Sequence, residues 1–356
     1  MNAAVKMSRI GLCFLAGMLV GFQAGPAFGQ KWNLSSRIQA GLEQDNNIFE
    51  SSRHETESMN GRLLVQMRAR KSRKKMLLSA DYAGALQIDP VFNSDSKFLN
   101  TLNGRAHWRF HEKMILIVNV RGKLKWFLDA PLDFASTWSR FGIQLQLRRG
   151  LRCTIGETTS QLDYVHSNYF DQKTRLSTFG ISQEFSRSLA GSAEISYGRI
   201  AFTRAAYRSA AESALIRNRF EQRDKFLQSK FWLSLGRKNI LRLGAEYQKN
   251  NSNSFGQGYA RWSLSLIGAR SLTRQWLLRC ALSKQFKDYD EAGQIILQNE
   301  LDAERTENNF AVFDISYSMS DKLAWLMRLA LYENESGLRG RFYEKRQLFL
   351  GFELRF

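Results

Sequence analysis

The run Leu116–Trp126, LIVNVRGKLKW, decides how this chain folds. Leu116, Val118, Val120, Gly122, Leu124 and Trp126 occupy one phase of a two-residue period, and Ile117, Asn119, Arg121, Lys123 and Lys125 the other. An extended strand points successive side chains to opposite faces, so the three cations share one face and all the apolar residues but Ile117 the other.

The same alternation runs both ways from this stretch. Toward the amino terminus it occupies Leu99 to Phe110, Met76 to Ile88, Met59 to Arg70 and the stretch from Trp32 to Glu43. Toward the carboxy terminus it occupies Ser136 to Leu147, Leu151 to Val165, Arg175 to Phe185, Gly191 to Tyr197, Lys225 to Leu235 and Ile240 to Gln248. It continues through Tyr259 to Ala269, Trp276 to Phe286, Phe310 to Met319, Leu323 to Tyr332 and Arg346 to Phe356. About sixteen strands of roughly ten residues result, each the length a tilted strand needs to cross a bilayer.

The connections alternate too. Those at Lys71 to Lys75, His111 to Lys113, Arg148 to Gly150, Ser186 to Ala190, Gly236 to Asn239, Arg270 to Gln275 and Ser320 to Lys322 are short, and those between them are long. Short turns at one end and long loops at the other are the pattern of an outer-membrane β-barrel, turns toward the periplasm and loops outside. A soluble β-sandwich also alternates, but it rarely needs so many strands of equal length. The expected fold is therefore all-β: an antiparallel, up-and-down transmembrane barrel of about sixteen strands.

Residues 1–29 read as a cleaved signal peptide. Lys6 and Arg9 precede an apolar run from Gly11 to Phe22, and Ala27-Phe28-Gly29 offers a small-residue cleavage site. The apolar run is too short for a spanning helix, which needs roughly 20 residues. Residues 30–356 then form one domain, without linkers, and an even strand number leaves both termini in the periplasm. Cleavage removes two cations and no acid, so a net charge of +19 becomes +17. Cys153 and Cys280 fall on the apolar face and are expected to remain thiols.

Registering the strands sorts the charges. Arg37, Arg62, Arg68, Arg70, Arg105, His107, Arg109, Arg121, Lys123, Lys125, Arg140, Arg152, Lys230, Arg242, Arg261, Arg279, Arg328 and Arg355 face inward, against the acids Glu43, Asp81, Glu194, Glu246, Asp314 and Glu353. The opposite register would place these cations in lipid at roughly 2 to 4 kcal/mol each near the midplane. The expected pore lining is Arg62, Arg68, Arg105, Arg109, Arg121, Lys123, Lys125, Arg140, Arg242, Arg279 and Arg328. Such a wall draws anions into a passage of this width. Pairing with the inward acids would instead leave a solvated, inert wall.

Two long loops bear on the opening. Ala206, Tyr207, Ala210, Ala211, Ala214 and Leu215 lie at helical spacing, so a short helix carrying Arg204, Arg208, Arg217 and Arg219 is expected to fold inward as a constriction. The acidic segment Lys287 to Asn309 has the charge to meet it.

The last strand, Arg346 to Phe356, places Leu348, Leu350, Phe352, Leu354 and Phe356 on one face. A terminal aromatic after alternating apolar residues resembles the signal that outer-membrane barrels present to their assembly machinery, which implicates Phe352, Leu354 and Phe356 in that role. Asp45, Asn47, Ile48 and Phe49 follow the first strand. They resemble the D-x-N-[IV]-F turn of the putative β-barrel porin type 2 families, inferred outer-membrane barrels of which some accompany exopolysaccharide or capsule export. Read physically, the same turn is an Asx cap, and as a calcium site it lacks further carboxylates.

Other functions find little support. His166, Ser167 and Asn168 near Asp163 and Asp171 are the one grouping with a base and a nucleophile, yet neighbouring residues on a strand face apart. No GxSxG, HExxH, P-loop or CxxC motif is present, so no enzyme, metal or cofactor is expected. Inward charges and a secreted chain argue against nucleic acid. The expected function is a passive channel for anionic solutes, with two alternatives: an export pore for an acidic exopolysaccharide, or a closed barrel serving as a surface-binding scaffold. Outer-membrane lipid is the expected surrounding, and many porins form trimers, so a homo-oligomer is compatible.

Overall fold

The computed structural model describes residues 32–47, 55–92, 96–129, 133–209, 215–237, 239–290, 309–334 and 343–356. The signal-peptide reading and the acidic residues 291–308 lie outside them. The first eight strands are β1 Asn33–Asp45, β2 Ser58–Arg73, β3 Met76–Ile88, β4 Lys97–His111, β5 Met114–Phe127, β6 Phe134–Arg148, β7 Leu151–Tyr164 and β8 Gln172–Glu184. The remainder are β9 Leu189–Ser209, β10 Leu215–Leu235, β11 Ile240–Ser252, β12 Tyr259–Ser271, β13 Trp276–Tyr289, β14 Asn309–Ser318, β15 Leu323–Asn334 and β16 Tyr343–Arg355. Each pairs antiparallel with its sequence neighbours, and β1 pairs with β16, so the sheet closes into a barrel. Closure is what the alternation demands: a sheet this long would otherwise leave two unpaired edges.

The seam joins the two ends of the chain. Ala40 lies opposite Phe352, Leu42 opposite Leu350, and Gly41 opposite Gly351. The Phe349 ring lies over that glycine pair: a Cβ on Gly41 would stand 2.2 Å from the Leu350 carbonyl and 2.7 Å from the ring. Beyond the strand, Ser36 and Phe356 exchange backbone hydrogen bonds of 3.1 and 2.9 Å. The Asp45 turn clamps the other end of the seam. Asp45 is fully buried, accepts from Asn47 N–H at 3.0 Å and from Gln347 Nε2 at 2.9 Å, and pairs with Lys345 at 2.8 Å. Asn46 Oδ1 accepts from Arg346 N–H at 2.6 Å. These residues are spent on a backbone clasp, as an Asx cap would use them.

Strand ends at the short-turn side need special backbone. Gly150 and Gly236 hold φ of 79° and 94°, a region costly for residues with a Cβ. Cys153 on β7 and Cys280 on β13 are both free thiols.

One expectation fails. The described residues of the Arg204–Arg223 segment, 204–209 and 215–223, are not an inward helix, because β9 and β10 are each 21 residues long and carry their ladder through Ser209 and Leu215; Ala210, Ala211 and Ala214 lie outside the described residues. Alanine-rich spacing suits a helix, but each added pair on an existing ladder satisfies two backbone groups without a new nucleus. Irregular register between Arg217, Glu221 and Arg223 twists the extension.

Candidate functional site

Residues opposite each other in register share a face, and the large exposed apolar side chains identify the outer one. Val120, Phe141, Ile155, Phe179, Ile195, Phe231, Trp262 and Phe352 are among them. The intervening positions point inside. There the structure places Arg62, Arg68, Arg105, Arg109, Arg121, Lys123, Lys125, Arg140, Arg242, Arg279 and Arg328, on strands β2, β4, β5, β6, β11, β13 and β15.

The wall divides into two electrical sectors. Around the seam nearly every cation meets an acid. Arg62 pairs with Glu43, and Arg68 with Asp81. Asp314 accepts from Arg328 at 2.6 Å and lies 3.5 Å from Arg279. Glu353 is shared by Arg355 at 2.6 Å and Arg37 at 3.5 Å. Together with Gln39 and Phe349, several of these groups line a small cleft of about 40 Å³. Further round, Glu246 serves Arg261 at 3.4 Å and Lys230 at 3.8 Å, and Arg140 of β6 reaches Glu194 of β9 at 2.8 Å. A uniformly cationic wall is therefore not what forms. Register sets acids directly opposite cations, as at Arg68 and Asp81 or Asp314 and Arg328, and neighbours neutralise each other.

The second sector lies on β4 and β5. Among the described residues, Arg105, Arg109 and Arg121 have no ion pair with a carboxylate; Arg121 instead donates to Asn103 Oδ1 at 2.8 Å. Aromatic rings lie under this strip. Lys125 stands 4.7 Å from the Phe127 ring, Lys123 5.4 Å from Phe134, and Arg121 5.9 Å from Trp138. On the far side Arg242 stacks at 4.1 Å on Trp232. With no described carboxylate paired to Arg105, Arg109 or Arg121, these three arginines give this sector a positive field.

These rings were the part missed by sequence reasoning. Trp138, Trp232 and Phe349 are apolar residues in the inward phase of their strands, and that break in phase was the available signal. Of the constriction candidates, Arg208, Arg217 and Arg219 are exposed on the β9–β10 extension. Arg204 is buried, donating to Gln222 Oε1 at 2.7 Å and lying 4.7 Å from the Phe202 ring. The β11–β12 connection seals that extension: Phe255 N–H donates to the Tyr207 carbonyl at 2.8 Å and Tyr207 N–H to Ser254 Oγ at 3.0 Å. Nearby, burial and a 3.1 Å bond with the Tyr207 hydroxyl push the Tyr169 phenol up to about 12.

The histidine grouping is structural in its contacts. Ser167 Oγ accepts from Tyr169 N–H at 3.3 Å, capping a single 3-10 turn, Asn168–Phe170. His166 faces Asp133 at 3.3 Å, and Asp133 accepts from Phe127 N–H at 2.7 Å. Among the described residues no cluster of metal-ligating side chains is present.

No family model matches this chain, and no curated protein does. Some solved structures are similar to this chain at low identity. A bacterial polysaccharide outer membrane secretin is 9% identical, covering 91% of this chain and 98% of its own, with a TM-score of 0.45. Pseudomonas aeruginosa OccK8 (OprE) is 8% identical over 92% and 98%, with a TM-score of 0.46. Vibrio cholerae OmpT is 7% identical over 93% and 100%, again at 0.46. Likeness at this level says nothing of activity, and the barrel itself rests on the closed ladder described above.

Proposed function

We propose that this chain is a porin-like channel of an outer membrane whose inner wall favours anionic solutes. The carrying observation is the strip of Arg105, Arg109 and Arg121, flanked by Lys123 and Lys125, which faces inward without an ion pair to any described carboxylate at its three arginines. The exposed apolar outer face supports the membrane reading, since water would not tolerate so much of it. A closed barrel also meets the bilayer's demand that every backbone group be paired. In this reading the short turns face the periplasm and the long loops the outside.

The test is single-channel conductance and reversal potential in a planar bilayer under a KCl gradient, with a long acidic oligosaccharide added afterwards. Steady current with anion preference is the expected result. Stepwise block by the polymer would move the reading to export of an acidic polysaccharide. A folded, heat-modifiable barrel without conductance would sink both and leave a closed binding scaffold.

A further inference from the structure

On the outer face, three cations stand in one row across neighbouring strands. Arg175 of β8 lies opposite Arg199 of β9, and Arg199 opposite Lys225 of β10. All three are exposed, and they share the phase of the outward Phe179, Ile195, Tyr197 and Phe231. Arg175 pairs with Glu157 on the same face. Arg199 and Lys225 have no ion-pair partner among the described residues. Like charges directly opposite on adjacent strands destabilise a sheet unless something offsets them.

Their height on the barrel points to what that is. Arg199 stands ten residues above Leu189 at the short-turn end of β9. At ordinary strand rise and tilt that climb is about 25 Å, the height of a barrel's apolar band. The row therefore sits where hydrocarbon gives way to headgroups. Beneath it, the outer surface carries an open groove of about 520 Å³ lined by Phe179, Ile181, Ile195, Phe231, Tyr247 and Trp262.

We propose that this face binds a phosphorylated acyl lipid of the surrounding leaflet. Arg199 and Lys225, with Arg175 beside them, hold the phosphate, and an acyl chain lies along the aromatic groove. A guanidinium presents paired donors to phosphate oxygens and an ammonium adds a point charge. Tyr197, one position below Arg199 on the same face, has the polar tip and apolar body suited to that boundary. The inference rests on the membrane reading of the barrel and is independent of what passes through it.

The experiment uses the full barrel in detergent and native mass spectrometry, with a bis-phosphorylated glucosamine lipid of the lipid A type, the same lipid stripped of phosphate, and inorganic phosphate as probes. Wild type is expected to retain the bis-phosphorylated lipid and not the stripped one. Arg199→Gln/Lys225→Gln should weaken retention roughly tenfold or more, while Arg199→Lys keeps most of it. Equal retention by the double variant, equal retention of the stripped lipid, or inorganic phosphate competing as well as the lipid would each overturn the proposal. So would an oligomer that the double variant dissociates without any lipid bound, which would make the occupant a second copy of the chain. Conductance of the same variant separates the two failures. Lost lipid with an unchanged channel is the expected pair, and a barrel that never enters a bilayer would instead overturn the membrane reading beneath both.

Discussion

Asp45 holds first and last strands together with one buried carboxylate, paired to Lys345 and bonded to Gln347. Both partners lie on β16, so Asp45→Ala would take the paired carboxylate away from a largely buried ammonium at the seam. The expected cost is about 3 kcal/mol, read as a lower urea midpoint in refolding from detergent, with the Lys345→Met/Asp45→Leu double change recovering part of it. Asp89, at the end of β3, is the second such clasp. Burial opposes its ionisation but is outweighed by hydrogen bonds from Ser58 and the backbone N–H groups of Phe92 and Val91, which hold the carboxyl below its ordinary value. A depressed folded value means that the stabilisation is complete above the unfolded carboxylate pKa and is lost as pH falls through the folded one, below about pH 4. Asp89→Asn should flatten that acid limb in thermal melts taken at descending pH. An unchanged limb would show that the clasp contributes nothing.

Along a strand, phase decides what a substitution costs. Ile143 and Gln144 are neighbours on β6, yet Ile143 is exposed on the outer face and Gln144 faces inward between Ile115 and Thr154. Arginine at the first position should cost roughly 2 to 4 kcal/mol in lipid vesicles, and at the second close to nothing. Folding titrations of I143R and Q144R measure the difference directly. Equal costs would mean that β6 does not border lipid. The alternation in LIVNVRGKLKW made this face assignment legible, because a period of two admits no third direction for a side chain. The β9–β10 extension was not legible for the opposite reason. Its alanine spacing is locally compatible with a helix, and the ladder already running up from Leu189 and Leu235 keeps its described residues extended as far as Ser209 and Leu215.

At the scale of the whole barrel, charge is distributed by which strands meet. Acids on β1, β14 and β16 neutralise the seam, whereas β4 and β5 carry Arg105, Arg109 and Arg121 without such partners among the described residues. Selectivity should therefore reside on one side of the lumen. Arg105→Glu/Arg121→Glu is expected to move the reversal potential toward cations, changing the anion-to-cation permeability ratio by roughly tenfold or more. Arg328→Gln, on the neutralised side, should change it little. Equal effects from both would show that the lumen responds to net charge alone.

The sequence by itself determined a closed barrel of about sixteen strands and the face of the inward cations on its regular strands, because both follow from a local period of two repeated along the chain. Tertiary structure decided which charges survive. Neutralisation at Arg62, Arg279 and Arg328, the rings under Lys123 and Lys125, and the row of Arg175, Arg199 and Lys225 all depend on register between strands. Register is a property of pairs, and no single strand's pattern contains it.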